Sequence, residues 1–264
     1  MDNILLMQGV QPGLRRAFGS LGSLAIPFGT PRNAAAAQVV LANADLAIVK
    51  NGDVVSVAGQ NYTKAAAPGD NKWTNAAGLA ALINALADWN AAEAAGAVTI
   101  TAATRGAWGN GNVATITIKE DTTAGGDGAG AEATATIAAA TIARLANGDT
   151  VAFAGEIFTK AAATSVPDGE FANLAGLIAC IDAMTDWAAV EDAGAVDITA
   201  ATDSTDFNGI DIVVTLYRTT ASGVDGTPAF RGAVCADAGF IYVCTATDTT
   251  ITNNNWERAA IAAF

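Results

Sequence analysis

The stretch NGDVVSVAGQNYTK, Asn51 to Lys64, returns almost unchanged as NGDTVAFAGEIFTK, Asn147 to Lys160. A phrase that recurs in this way marks a repeat architecture, and both copies must then fold alike. The likeness runs beyond the phrase. Each copy continues through three alanines (Ala65–Ala67, Ala161–Ala163), a Gly-Leu pair that opens an apolar segment (Gly78 and Leu79, Gly176 and Leu177) and an Asp-Trp pair (Asp88 and Trp89, Asp186 and Trp187). GAVTITAAT (Gly96–Thr104) and GAVDITAAT (Gly194–Thr202) follow, and each copy closes on Asn-Gly and a β-patterned run (Asn110–Ile118, Asn208–Leu216). The copies lie 96 residues apart before the loop after the alanines and 98 after it, so one loop is two residues longer.

Inside the first copy, Val54, Val55 and Val57, then Tyr62 and Thr63, predict two short strands about a turn at Ala58-Gly59. Leu79, Leu82, Ile83, Leu86 and Trp89 recur at helical steps and predict one amphipathic helix with the tryptophan on or beside its apolar stripe. Val98 and Ile100, then Val113, Ile116 and Ile118, predict two more strands. The second copy repeats the order with Val151, Phe153, Ile157 and Phe158, then Leu177, Ile181 and Met184, then Val196, Ile198, Ile212, Val214 and Leu216. A helix that buries one stripe on a β-sheet gives an α+β, β-rich class. The expected organisation is an extended N-terminal arm (1–45), module one (46–119), a Gly-rich linker whose run Ala133–Ala139 offers another strand through Thr134, Thr136 and Ile137 (120–141), module two (142–217) and a small C-terminal β unit (218–264). Modules this short sit near the lower limit for an independent core, which points to a shared interface or to other subunits.

The arm is punctuated by Gly9, Pro12, Gly13, Gly19, Gly22, Pro27, Gly29 and Pro31, which stop regular structure, yet it is too apolar for a solvated tail. It reads as a segment that orders by lying on another surface. The residues expected at that assembly interface are Leu5, Leu6, Arg15, Arg16, Phe18, Leu24, Ile26, Phe28 and Arg32. Three arginines against Asp2 give residues 1–44 a net charge of +2, which leaves −15 of the total −13 to the remainder. An acidic body of that kind argues against binding nucleic acid. No apolar run is long enough to span a bilayer, and the opening MDNILLMQGVQPGLRR has its charges in the wrong order for a secretory signal.

The chain has no histidine, which removes the commonest general base and metal ligand together. Cys180, Cys235 and Cys244 make no CxxC motif. Cys180 falls in the second helix as a small core residue, and Cys235 and Cys244 could pair only if directly opposite on a hairpin. The loop Gly106–Asn112 lacks the Lys-Ser/Thr of a phosphate loop and reads as a strand connection. Asp203, Asp206 and Asp211 match no calcium-loop spacing and read as solvated charges. The carboxylates repeated in both copies (Asp53 and Asp149, Asp88 and Asp186, Glu93 and Glu191) read as turn and helix-end residues, not as a catalytic pair. No enzyme activity, cofactor or metal is expected.

The pattern NGDxVxxxGxxxTK, followed by an apolar helix and AVxITAAT…NG, resembles a module of tailed-bacteriophage virion structural proteins, over residues 46–119 and 142–217. The ending GFIYVCTATDTTITNNNWERAAIAAF is similar to the short β ending of phage head and tail-fibre proteins. The resemblance implies a non-enzymatic virion protein, made in the host bacterial cytoplasm. Within that class it implies a capsid decoration or cement protein that grips the major capsid protein through its arm, as a homo-oligomer, a trimer by expectation. The alternatives are a tail, neck or fibre-associated protein, or a carbohydrate-binding adhesin working through Trp73, Trp108 or Trp256.

Overall fold

The computed structural model describes residues 34–123, 125–126, 131–221, 223, 233–236, 240–245 and 256–260. The chain divides into two compact units, Ala35–Val224 and a second drawn from Met1–Ala34 with Asp225–Phe264.

The larger unit holds both modules, and its class is α+β and β-rich. Module one consists of β1 (Gln38–Leu41), α1 (Asn43–Ala47), β2 (Val54–Val57), β3 (Gln60–Lys64), β4 (Lys72–Trp73), α2 (Ala76–Ile83), β5 (Trp89–Ala94), β6 (Ala97–Ala102) and β7 (Val113–Asp121). Module two repeats it as β8 (Thr134–Ile137), α3 (Ala139–Ile142), β9 (Thr150–Phe153), β10 (Glu156–Lys160), β11 (Glu170–Phe171), α4 (Leu174–Asp182), β12 (Trp187–Asp192), β13 (Ala195–Ala200) and β14 (Asp211–Thr219). Each module contributes half of one eight-stranded sheet, ordered β11-β10-β9-β14-β7-β2-β3-β4, and a three-stranded sheet of its own, β1-β6-β5 or β12-β13-β8.

The large sheet alternates with the two-residue period of a half-buried sheet. Val55, Val57, Ile116, Ile118, Val151, Phe153, Ile212, Val214 and Leu216 face one connected core, where they meet Leu79 and Ile83 of α2, Leu177 and Ile181 of α4 and the inner faces of the small sheets. The other face is only half-buried at its centre. There a register row runs Thr63–Val54–Thr117–Thr215–Thr150–Thr159 across six strands.

The modules join at β7 and β14, which pair antiparallel from Val113 opposite Thr219 to Asp121 opposite Asp211. Thr117 lies opposite Thr215, its own counterpart in the repeat, so a local two-fold axis passes through that pair. Each strand then runs on into the other module. After β7, the Thr122 hydroxyl accepts from the Ile210 N–H at 2.9 Å and donates to the Phe207 carbonyl. The Asn208 amide clasps Gly125, accepting from its N–H at 2.8 Å and donating to its carbonyl at 3.0 Å. After β14 the same contacts recur in module one. Thr220 donates to the Gly109 carbonyl, Asn110 clasps Gly223 at 2.8 and 2.9 Å, and Ala221 exchanges two 2.8 Å backbone bonds with Gln38. The glycines are required by this closeness: a Cβ on Gly125 would sit 2.5 Å from the Ser204 carbonyl oxygen.

Two expectations are corrected. The strand β1 and the first residues of α1, Asn43–Asp45, lie inside the stretch assigned to the arm, and β1 pairs with β6 along its whole length. The apolar helix ends at Ile83 or Asp182, so Trp89 and Trp187 open strands and do not belong to a helical stripe, and Glu93 and Glu191 are strand residues. The cause is Asn84, whose amide donates to the Ala91 carbonyl at 2.8 Å and accepts from the Ala91 N–H at 2.7 Å, turning the chain back along the helix. Asp182 accepts from the Ala189 N–H at 2.7 Å in the second copy. These side chains also occupy part of an otherwise open sheet edge. The C-terminal sheet β15 (Val234–Ala236), β16 (Phe240–Cys244) and β17 (Trp256–Ala260) sets Cys235 opposite Tyr242 and Cys244 opposite Trp256, so the directly opposite placement that a pairing would need is not the register of these strands. Cys180 is a buried core residue, as read. The linker strand anticipated within Ala133–Ala139 is β8.

Four hairpins turn on Ala-Gly with both residues at positive φ: Ala58 (50°), Ala95 (51°), Ala154 (49°) and Ala193 (49°), each before its glycine. This is the two-residue turn whose twist matches the strands, and it favours asparagine first. An alanine there bears a left-handed cost of about 1 kcal/mol. Ala58→Asn and Ala154→Asn should therefore each stabilise the protein by about 0.5–1 kcal/mol, read as a higher urea midpoint at unchanged slope. Gly125→Ala should destabilise it by about 2 kcal/mol.

Candidate functional site

Two places in the larger unit concentrate chemistry. The first is a cluster of charges at the junction of the modules. Asp45, on α1, is 2% exposed and takes the Arg144 Nε at 2.6 Å and the Arg218 Nε at 3.1 Å. Arg218, on β14, also places Nη1 3.2 Å from both oxygens of Asp149, which is 1% exposed. Asp149 in turn accepts from the backbone N–H groups of Ala146 and Tyr217, both at 2.7 Å, and so ties the start of β9 to β14. Module one has the matching tie. Asp53 accepts from the N–H groups of Lys50 at 2.6 Å and Lys119 at 3.0 Å. The turn role read for Asp53 and Asp149 is thus what both side chains perform.

The electrostatics follow from these partners. Burial pushes Asp45 up, but the hydrogen bonds and charges of Arg218 and Arg144 outweigh it and hold the carboxyl below its ordinary value. Burial works against the charge of Arg218 too, and Asp45 and Asp149 more than offset it, raising that group. Asp53 has no guanidinium. Its burial outweighs its two N–H donors, and its carboxyl is raised. The cluster is asymmetric: Asp45, Arg144 and Arg218 stand where the other copy has Thr141, Ile48 and Glu120. Chemically it holds charges in place. Each carboxylate oxygen of Asp45 and Asp149 already accepts from a guanidinium or a backbone N–H.

The second place is an open cleft of 810 Å³ on module two, between the β9–β10 hairpin, the end of α4 and the loop before β14. Ile157, Met184, Phe207 and Ile210 are among its lining residues, together with Glu156, Asp168 and Asp186. Trp187 and Phe207 line one wall, edge-on at 5.2 Å, and Trp187 packs behind it on the buried Phe153 at 4.6 Å.

The remaining sequence candidates disperse. Leu5, Leu6, Arg15, Arg16, Phe18, Leu24, Ile26, Phe28 and Arg32 lie outside the described residues. Trp73 is 1% exposed, donates to the Tyr62 carbonyl at 3.2 Å and lies under the Lys64 ammonium, so it offers no surface for stacking a sugar. Trp108 is exposed, although its ring leans on Trp89 at 5.8 Å and its Nε1 donates to the Thr104 carbonyl. Asp203, Asp206 and Asp211 are exposed and separate in role. Asp211 faces Asp121 across the β7–β14 pair, and a hydrogen bond between the two carboxyls raises Asp121 and lowers Asp211. Among the described residues no three His, Cys, Asp or Glu side chains gather to hold a metal, and no helix is long and apolar enough to cross a membrane. Sequence reading passed over Asp45, Arg144 and Arg218 because each differs between the copies. Those differences were the available signal. No protein-family model matches the chain, and no match is found among curated proteins or solved structures.

Asp45→Asn should leave two guanidiniums without their shared anion and destabilise the protein by about 2–4 kcal/mol at pH 7. The sign with pH follows from its lowered value. Asp45 contributes stability in full above the unfolded value of about 4, and the contribution is lost as pH falls from there through the folded value. Urea midpoints measured from pH 6 downward should therefore fall less steeply for Asp45→Asn than for the native chain.

Proposed function

We propose that this chain is a non-enzymatic structural protein of a tailed-bacteriophage virion, and within that class a capsid decoration or cement protein. The observation that carries the reading is the use made of buried charge. Asp45, Asp53 and Asp149, the buried carboxylates among the described residues, are all engaged in tying backbone to backbone or module to module. A double module cross-tied in this way is suited to a passive structural part. The repeated NGDxVxxxGxxxTK phrase and the aromatic β ending, which resemble phage structural modules, support the same class. The partner in this reading is the major capsid protein, met through the N-terminal arm, with the acidic body outward and the protein itself a homo-oligomer.

Gold-labelled antibody against the purified chain, applied to tailed particles from a lysate of the bacterium that carries the gene, tests it. Label over the heads is expected. Label confined to tails would replace the cement role with a tail or neck role, and unlabelled particles would overturn the virion reading. A binding test on emptied heads must respect the module boundary: removal of residues 1–45 would take away β1, α1 and Asp45. Removal of 1–33 should abolish head binding and keep the cooperative melting of the two-module unit.

A further inference from the structure

The duplication supplies an internal comparison. Positions in one module that serve only the fold should look alike in the other, and positions that diverge together on one surface mark what that module does alone. On the cleft of module two three positions diverge towards large apolar side chains, while Cys180 and Thr185 stand where module one has Leu82 and Ala87. Ile157, Phe207 and Ile210 stand where module one has Asn61, Gly109 and Asn112. Ile157 is 63% exposed and lines the cleft together with Phe207 and Ile210 as an apolar patch. Three carboxylates, Glu156, Asp168 and Asp186, line the same cleft, and among the described residues no lysine or arginine does.

We propose that this cleft binds an extended peptide segment of a neighbouring protein, one that presents a lysine or arginine beside an apolar side chain. Such a side chain lays its methylene stem along apolar surface and carries its charge to the rim. The wall of Ile157, Phe207 and Ile210 provides the surface, and the carboxylates provide the counter-charge. The cleft is open, so a small molecule would stay largely wetted, whereas a peptide is held by the chain on either side of the inserted residues. Module one, with Asn61, Gly109 and Asn112, has the fold without the site. The proposal does not rest on the virion reading, because it follows from the chemistry of the cleft alone.

The test uses the full chain and fluorescein-labelled hexapeptides. Gly-Leu-Lys-Val-Arg-Gly is compared with Gly-Leu-Glu-Val-Glu-Gly by fluorescence anisotropy at low and at moderate salt. The basic peptide should bind, the acidic one at least about tenfold more weakly, and salt should narrow the gap. The double variant Ile157→Asn with Ile210→Asn installs what module one carries at both places, so it should melt like the native chain and bind the basic peptide at least about tenfold more weakly. Equal binding of the two peptides, undiminished binding by the double variant, or no binding by either peptide at millimolar concentration would each overturn the proposal. A second variant, Glu156→Gln with Asp186→Asn, keeps the test decisive if the first melts early: it should remove the preference for the basic peptide.

Discussion

Everything in the larger unit depends on the pairing of β7 with β14 about the Thr117–Thr215 pair. The terminal strand of each module is built into its own module at one end and finishes in the other. Thr122 and Gly125 belong by sequence to module one but satisfy Phe207, Asn208 and Ile210 of module two, and Thr220 and Gly223 return the exchange. Neither half completes its hydrogen bonding alone. Two modules that would each be marginal by size thereby share one core and one sheet. The arrangement is what an isologous dimer would have, with the two-fold partner supplied by the same chain.

On that symmetric frame the copies have diverged in a few places, and the divergence is where chemistry collects. The conserved part of the repeat is backbone service: Asp53 and Asp149 at the same turn, Asn75 and Asn173 each accepting from a glycine N–H at 2.9 Å to cap α2 and α4, and Asn110 and Asn208 at the same clasp. The differing part is the Asp45–Arg144–Arg218 cluster and the cleft around Ile157. Burying charges at a junction is a poor source of net stability compared with apolar packing, but an asymmetric set of partners fixes which module meets which surface of the other.

Much of the architecture was legible because repetition multiplies weak signals. The hairpin turn at Ala58-Gly59, the strands through Val98 and Ile116 and the helix from Leu79 could be read from either copy and agreed. Several elements escaped, among them the short helices α1 and α3, the two-residue strands β4 and β11, and two longer strands. Gln38–Leu41 is only four residues long and follows a Gly- and Pro-rich run, although its counterpart Thr134–Ile137, read as a possible strand, lies at the 96-residue offset and pointed to it. The strand from Trp89 is alanine-rich, with little β pattern, and Leu86 and Trp89 continued the helical spacing by coincidence. What ended the helix was a side-chain contact from Asn84 to Ala91, and such a contact has no periodicity. The ion cluster was illegible for a related reason: Asp45 and Arg218 are 173 residues apart, and only the strand exchange brings them together.

The bridge between Gln38 and Ala221 carries one more implication. The chain comes into the two-module unit and goes out of it at neighbouring points, held by an isolated antiparallel bridge of two reciprocal backbone bonds. Tension applied through both flanks would first meet the bonds outside that bridge, from Gly106 to Ala35, from Ala102 to Ala37 and between Asn110 and Gly223, and then the bridge itself, like a zip pulled from its open end. Mechanically the unit therefore hangs from its chain as a pendant, not in line as a link.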